Sequence, residues 1–240
     1  MINPAAGRAP SNLPTGLVTP PTNKPQSLPR VLDLPLFDPG QDMISFQTKQ
    51  LPSDMAVSER CIEAYFYHFH PAHPIVVPRD YFMRLRTERA LSHLEAAMRY
   101  VGSFFVPQAS TVTLGIEAER ALYHADCPQD AFRVQAMLIL CVGLDGYTSQ
   151  EKALKILTDA QDHALELGMN RREFASTNAI GSPVLAESWR RTWWEMYIVD
   201  GMIAGVHQKS SFRMKDIPAD VVLPCEENEY AIGVSKLSIL

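Results

Sequence analysis

Three histidines, His68, His70 and His73, are the nearest approach in this chain to a metal-binding pattern. Imidazole is a common zinc ligand, and three protein ligands plus a water make a catalytic zinc site. A metal-dependent enzyme built on them is therefore one reading of the chain. Against it, Pro71 falls between them, so helical periodicity does not set their geometry, and no His-Glu-x-x-His pair accompanies them. The competing reading is a helix end with aromatic residues inward and histidines at the rim. Cys127 follows His124 by three residues, a spacing that brings side chains together on a helix, but no third group supports a Cys–His couple. Gly-x-Ser-x-Gly, Gly-x-x-x-x-Gly-Lys-Ser/Thr and Gly-x-Gly-x-x-Gly are all absent, so neither a nucleophile elbow nor a phosphate cradle is encoded. Cys61, Cys127, Cys141 and Cys225 contain no Cys-x-x-Cys pair and read as reduced thiols, with Cys141 a small core residue. No catalytic, metal or cofactor residue is assigned.

The candidates that remain lie on one predicted helix, Glu187 through Met202. At ~100° per residue, Trp193, Tyr197 and Ala204 share one side, Trp194, Ile198 and Gly201 the next, and Met196, Val199 and Ile203 the opposite one. A helix apolar nearly all round packs on several neighbours. Trp193 and Trp194 are both expected to be buried, with Trp189 less so. Glu187, Arg191 and Glu195, four apart, predict a modest ion-pair ladder. Asp200 stands on an apolar flank and needs a partner. Trp193, Trp194, Tyr197 and Asp200 are thus either structural or the wall of an effector pocket.

The elements around this helix are also predicted helices. Ser58 is placed as the cap of a helix carrying Cys61, Ile62, Tyr65, Phe66 and Phe69. Asp80 is placed as the cap of a short one holding Phe82, Met83 and Leu85. A third runs from about Ser92 towards Pro107, and a fourth opens at Thr113 with Ile116, Ala118, Ala121 and Leu122 inward. Residues 129–145 form a largely apolar fifth. Ser149 opens a sixth that stops at Gly168, and Ser182-Pro183 starts the Trp helix. No alternating strand pattern is visible, so the fold class is all-α.

At 240 residues, 46% hydrophobic and 20% charged, the chain can bury one sizeable core. Its net charge of −5 supplies no basic stripe for nucleic acid, and Arg79 to Arg89 reads as a solvated helix face. The longest apolar run, Ala136 to Leu144, is far short of the ~20 residues that span a bilayer. Residues 1–30 hold seven of the 18 prolines and lack a secretory h-region. Residues 31–46 alternate acidic and large apolar groups, a pattern that either docks on the chain's own core or serves as an activation motif. The organisation predicted is a Pro-rich disordered leader over 1–57, a helical domain over 58–230 and a tail over 231–240.

Arg190-Arg191-x-Trp193-Trp194-x-x-Tyr197-x-x-Asp200 also resembles the middle homology domain of fungal zinc binuclear cluster transcription factors. Four other blocks follow the same order: Tyr65-Phe66-x-x-Phe69-His70-Pro71-x-x-Pro74-Ile75, Val134 to Leu140, Leu167-Gly168-Met169-Asn170-Arg171, and Asp216-Ile217 with Leu223-Pro224. Together they cover roughly Ser58 to Tyr230. Gln208-Lys209-Ser210-Ser211 stands where that family often has Gly-Arg-Pro. The family's zinc-bearing DNA-binding module, with its six cysteines, does not occur in these 240 residues. The resemblance implies a nuclear transcriptional regulator, commonly of a metabolic or secondary-metabolite gene cluster. It would sense a small-molecule effector and act through the transcription machinery or a paired regulator, with no direct sequence-specific DNA binding and no membrane association. A truncated helical scaffold without activity is the remaining alternative.

Overall fold

Burial follows helical spacing along the chain. The computed structural model describes residues 56–147 and 149–232, and among these it contains nine helices and no strand. The all-α expectation holds. Nearly all of the expected leader, the 31–46 segment and the tail after Ile232 lie outside the described residues. The helices are α1 (Val57–Ala64), α2 (Arg79–Glu88), α3 (Ser92–Gly102), α4 (Thr111–Leu122), α5 (Ala131–Tyr147), α6 (Gln150–Leu167), α7 (Arg172–Thr177), α8 (Pro183–Val206) and α9 (Glu227–Ala231). A π-helical turn, Tyr65–Phe69, continues α1, and 3₁₀ turns occupy Ser103–Phe105 and Arg213–Asp216.

The apolar α5 is the hub, touching α3, α4, α6 and α8. Its Val134, Ala136, Leu140 and Cys141 have no exposed surface. Burial pushes the Cys141 thiol up to about 12, which keeps it an uncharged core group. α1 crosses α3 at Gly102, where an added Cβ would fall 1.9 Å from the Cys61 carbonyl oxygen, so only glycine permits that approach. Arg86 ties α2 to both, forking onto Glu59 at 2.9 and 3.0 Å and reaching Glu95 at 2.8 Å. Arg79 pairs with Glu63, while Arg84 and Arg89 face solvent, so only part of this basic run is a solvated face.

Several boundaries differ from expectation. Ala56, not Ser58, precedes α1, and Pro78, not Asp80, precedes α2. Pro78 holds the backbone in an extended conformation at the boundary, and its carbonyl accepts the first helical bond, from Phe82. Ile116 is exposed. The inward face of α4 is Gly115, Ala118 and Leu122, because Tyr100 packs directly on Gly115, which rotates Ile116 outward. Ser110 caps α4 and Ser182 caps α8, accepting from the Thr113 and Leu185 amides. α7 and α9 have six and five residues, too few to show a period in sequence.

α6 stops as predicted. Gly168 is left-handed at φ 77°, and the Met169 amide reaches back to Ala164 at 2.9 Å. α8 ends the same way without a glycine: Gln208 takes φ 55° and the Lys209 amide bonds Ala204 at 2.8 Å.

The three tryptophans of α8 rank differently from the sequence expectation. Trp193 is 2% exposed and Trp189 4%, whereas Trp194 is only half-buried. Trp189 packs edge-on against Phe132 at 4.8 Å and donates to the Asn178 carbonyl, because α7 and its following turn cover the start of α8. Trp193→Ala and Trp189→Ala should each cost ~3–5 kcal/mol by urea denaturation, and Trp194→Ala clearly less.

Candidate functional site

The segment Ile75–Val77, between the π turn and α2, is buried but not helical. Carbonyls buried without a regular ladder need partners from elsewhere. α5 and α8 supply them for Ile75. Gln135 of α5, fully buried, donates from Nε2 to the Ile75 oxygen at 2.8 Å, and the Ser188 hydroxyl of α8 donates to the same oxygen at 2.6 Å. Since that carbonyl can only accept, the NH₂ end of Gln135 must face it. Nε2 also approaches the hydroxyls of Ser188 and Thr192 at 2.8 and 2.9 Å. The arrangement leaves Gln135 Oε1 without a partner. The Val76 oxygen is held by His70 Nε2 at 2.8 Å and by the Tyr230 hydroxyl of α9 at 3.1 Å.

Glu187, Ser188, Arg191, Thr192 and Glu195 fall within about 140° of one another around α8, so one face of the core helix is polar. The expected ion-pair ladder is corrected here. Glu187 pairs with Arg191 and Arg190, but Arg191 reaches Glu227 at 2.5 Å rather than Glu195, and Glu195 takes His73 Nδ1 at 2.5 Å. Glu187 has no exposed surface, and it also accepts from the Cys225 amide at 2.7 Å. Arg191 donates to the Cys225 carbonyl and lies 4.3 Å over the Tyr230 ring. Burial works against the Arg191 charge, but its bonds to Glu227 and its attraction to Glu187 outweigh that and raise its pKa. The polar face of α8 thus fastens both the Ile75–Val77 segment and the stretch Cys225–Tyr230.

An open groove of about 760 Å³ lies where these two attachments meet. Phe66, Tyr67, Pro71, Pro74 and Pro78 give it apolar walls; at its rim Arg79 pairs with both Glu63 and Asp80, and Glu227 pairs with Arg191. His70 lines it as well. With Nε2–H committed to Val76, its Nδ1 is a hydrogen-bond acceptor.

The other sequence candidates are placed as follows. Trp193 is inside the core. Trp194 donates to the Val222 carbonyl at 3.1 Å, and Tyr197 packs edge-on against Phe212. Asp200 is buried and accepts from the Met214 amide at 2.8 Å, fixing the 3₁₀ turn Arg213–Asp216. Its expected hydrogen-bonded state is found. None of these four lines the groove. The three histidines have separate partners: His68 stacks on Phe105 at 4.2 Å, His70 bonds Val76, and His73 bonds Glu195. No group of three or more metal-ligating side chains gathers among the described residues. Cys127 follows His124 in a turn after α4, its amide bonding the His124 carbonyl. Sequence reading missed Gln135, Ser188, Thr192, Glu227 and Tyr230. The one legible signal was Gln135, a lone amide inside the apolar run Val134–Leu140.

An all-α domain whose Trp-bearing helix carries a buried polar face is the class these features define. The chain belongs to the fungal specific transcription factor domain family, whose model matches residues 62–236. It is 46% identical over 200 residues to the C6 finger domain transcription factor iacK of Pestalotiopsis fici. That match covers 83% of this chain and 30% of the relative, so the chain spans less than a third of that protein's length. No solved structure matches it.

The buried histidines give the domain a pH dependence. Burial lowers the pKa of His70, and the same cause lowers those of His93 and His163. The unfolded chain, with histidine near ~6.5, then binds these protons more readily than the folded one. Their contribution is fully present above that value and is lost as pH falls through it. The urea midpoint should therefore drop between about pH 7.5 and 5.5, and His93→Leu should flatten the slope.

Proposed function

We propose that this chain is the regulatory part of a fungal transcriptional regulator that works in the nucleus on a metabolic or secondary-metabolite gene cluster. The observation that carries the reading is membership of the fungal specific transcription factor domain family over most of the chain, with similarity to a C6 finger transcription factor. Within these 240 residues the net charge is −5 and no cysteine pair has zinc-cluster spacing, so this part acts through partners, either the transcription machinery or a paired regulator. No described helix is long and apolar enough to cross a membrane.

The groove between the π turn and α9 is the effector site in this reading. Its apolar walls and His70 acceptor suit an apolar ligand that carries a hydrogen-bond donor. A ligand there contacts Glu227 and Tyr230, which are tied to Arg191 and Val76, so occupancy would bias the packing of α9 on α8. Tyr197, Trp194, Trp193 and Asp200 then serve the framework rather than the ligand.

The test is a reporter assay with the full chain fused to a heterologous DNA-binding domain. Reporter output should differ several-fold from that of the DNA-binding domain alone. Tyr67→Ala removes an exposed groove wall at little cost in stability and should alter the response to growth conditions. Output equal to the DNA-binding domain alone under every condition would contradict the regulatory reading.

A further inference from the structure

The turn that links α4 to α5 leaves a second opening, of about 360 Å³, against the start of α3. It shares no lining residue with the groove. Its inner end is built from His93 and Cys127, both buried. Glu117 and Arg120 of α4 and Asp126 of the turn stand at its exposed rim.

His93 is 1% exposed, yet neither of its ring nitrogens has a hydrogen-bond partner. Asp130 Oδ1 comes within 3.9 Å of Nε2, which is too far for a hydrogen bond. Buried polar groups are ordinarily paired, so an imidazole left alone at the end of an opening points to something that enters it. Burial lowers the pKa of the ring, which is therefore neutral near ~7 and carries one N–H donor.

The ring belongs to the first turn of α3, and that turn has donors of its own to satisfy. Leu91 precedes the helix without a side-chain hydrogen bond, and the Ser92, His93 and Leu94 amides have no acceptor among the described residues. Such a helix start carries positive partial charge. Arg120, across the opening, has no carboxylate partner among the described residues either. Glu117 and Asp126 oppose an incoming negative charge, but both are exposed and screened by solvent, and Asp126 already faces His124 at 3.6 Å.

We propose that this opening binds a small anion through a carboxylate or phosphate group, its oxygens on the α3 amides and the His93 N–H and its charge against Arg120. Because α3 and α4 both pack on α5, a ligand held by the two clamps them beside the hub of the core. The site is independent of the groove and of any effector bound there.

Nuclear magnetic resonance of the 240-residue chain tests this, with inorganic phosphate and succinate titrated separately against sodium chloride at constant ionic strength. The Ser92, His93 and Leu94 amides and the His93 ring should shift saturably with at least one probe, at a Kd of about 1–10 mM. The tighter of the two probes tells whether a phosphate or a carboxylate is preferred. Arg120→Gln changes an exposed side chain and should weaken binding about five-fold with the fold intact. His93→Leu, followed through the Ser92 amide, should weaken it by a similar factor. No saturable shift of these amides with either probe overturns the proposal, as does an equal response to chloride. An affinity that Arg120→Gln leaves unchanged overturns it too. Shifts confined to Tyr67 and Tyr230 also overturn this site, while leaving the groove reading in place.

Discussion

The structure depends on burying a piece of irregular backbone. Ile75, Val76 and Val77 are buried, and their apolar side chains belong in the core. Their carbonyls do not, and leaving one unpaired there costs ~1–3 kcal/mol. The solution draws one donor from each of several elements: Gln135 from α5, Ser188 from α8, His70 from the end of the π turn and Tyr230 from α9. Each donor works only if its own helix sits in one register. A short segment thereby specifies how four elements meet, which apolar packing alone would do less sharply. The cost is visible in Gln135 Oε1, a buried acceptor with no partner.

This requirement explains the mixed character of α8. The helix must be apolar towards α5 and α6, and it must also carry Ser188 and Thr192 for the buried segment, and Glu187 and Arg191 for the chain near Cys225. Glu187 is tolerable without exposure because two arginines and one amide surround it. The same polar face ends at the groove, through Glu227 and Tyr230. If the groove is the effector site proposed above, its occupancy reaches the core through these charged and hydrogen-bonded contacts. Further along α8 the polar face gives way to exposed Ile198 and Met202.

Much of the fold was legible from periodicity and punctuation. Gly168 and Ser182-Pro183 stand where α6 ends and α8 begins, and Asp200 has the partner its apolar flank demanded. The tryptophans were harder. Sequence neighbours placed Trp189 near the surface, since Ser188 and Arg190 flank it, but Ser188 turned out to be a core donor and α7 to be a cover. Local polarity misleads where polar residues are themselves buried. The groove was illegible for a different reason: its walls come from residues 63–80 and 227–231, distant in sequence and brought together by contacts such as those of Tyr230 and Arg191. Helical spacing carries no information about a contact 154 residues apart in sequence, such as Tyr230 with Val76. The resemblance of the Trp helix to the fungal family was sound; within that helix Trp193 lies in the core and Asp200 holds the Met214 amide.

The measurement that tests this account most directly is a double-mutant cycle on the two donors to the Ile75 carbonyl, Gln135→Leu and Ser188→Ala, by urea denaturation. Either single change leaves that oxygen one donor. The double change leaves it none, so its cost should exceed the sum of the singles by ~1 kcal/mol or more. Additive costs would contradict the account, because they would mean that satisfying the buried Ile75–Val77 backbone is not what binds α5 to α8.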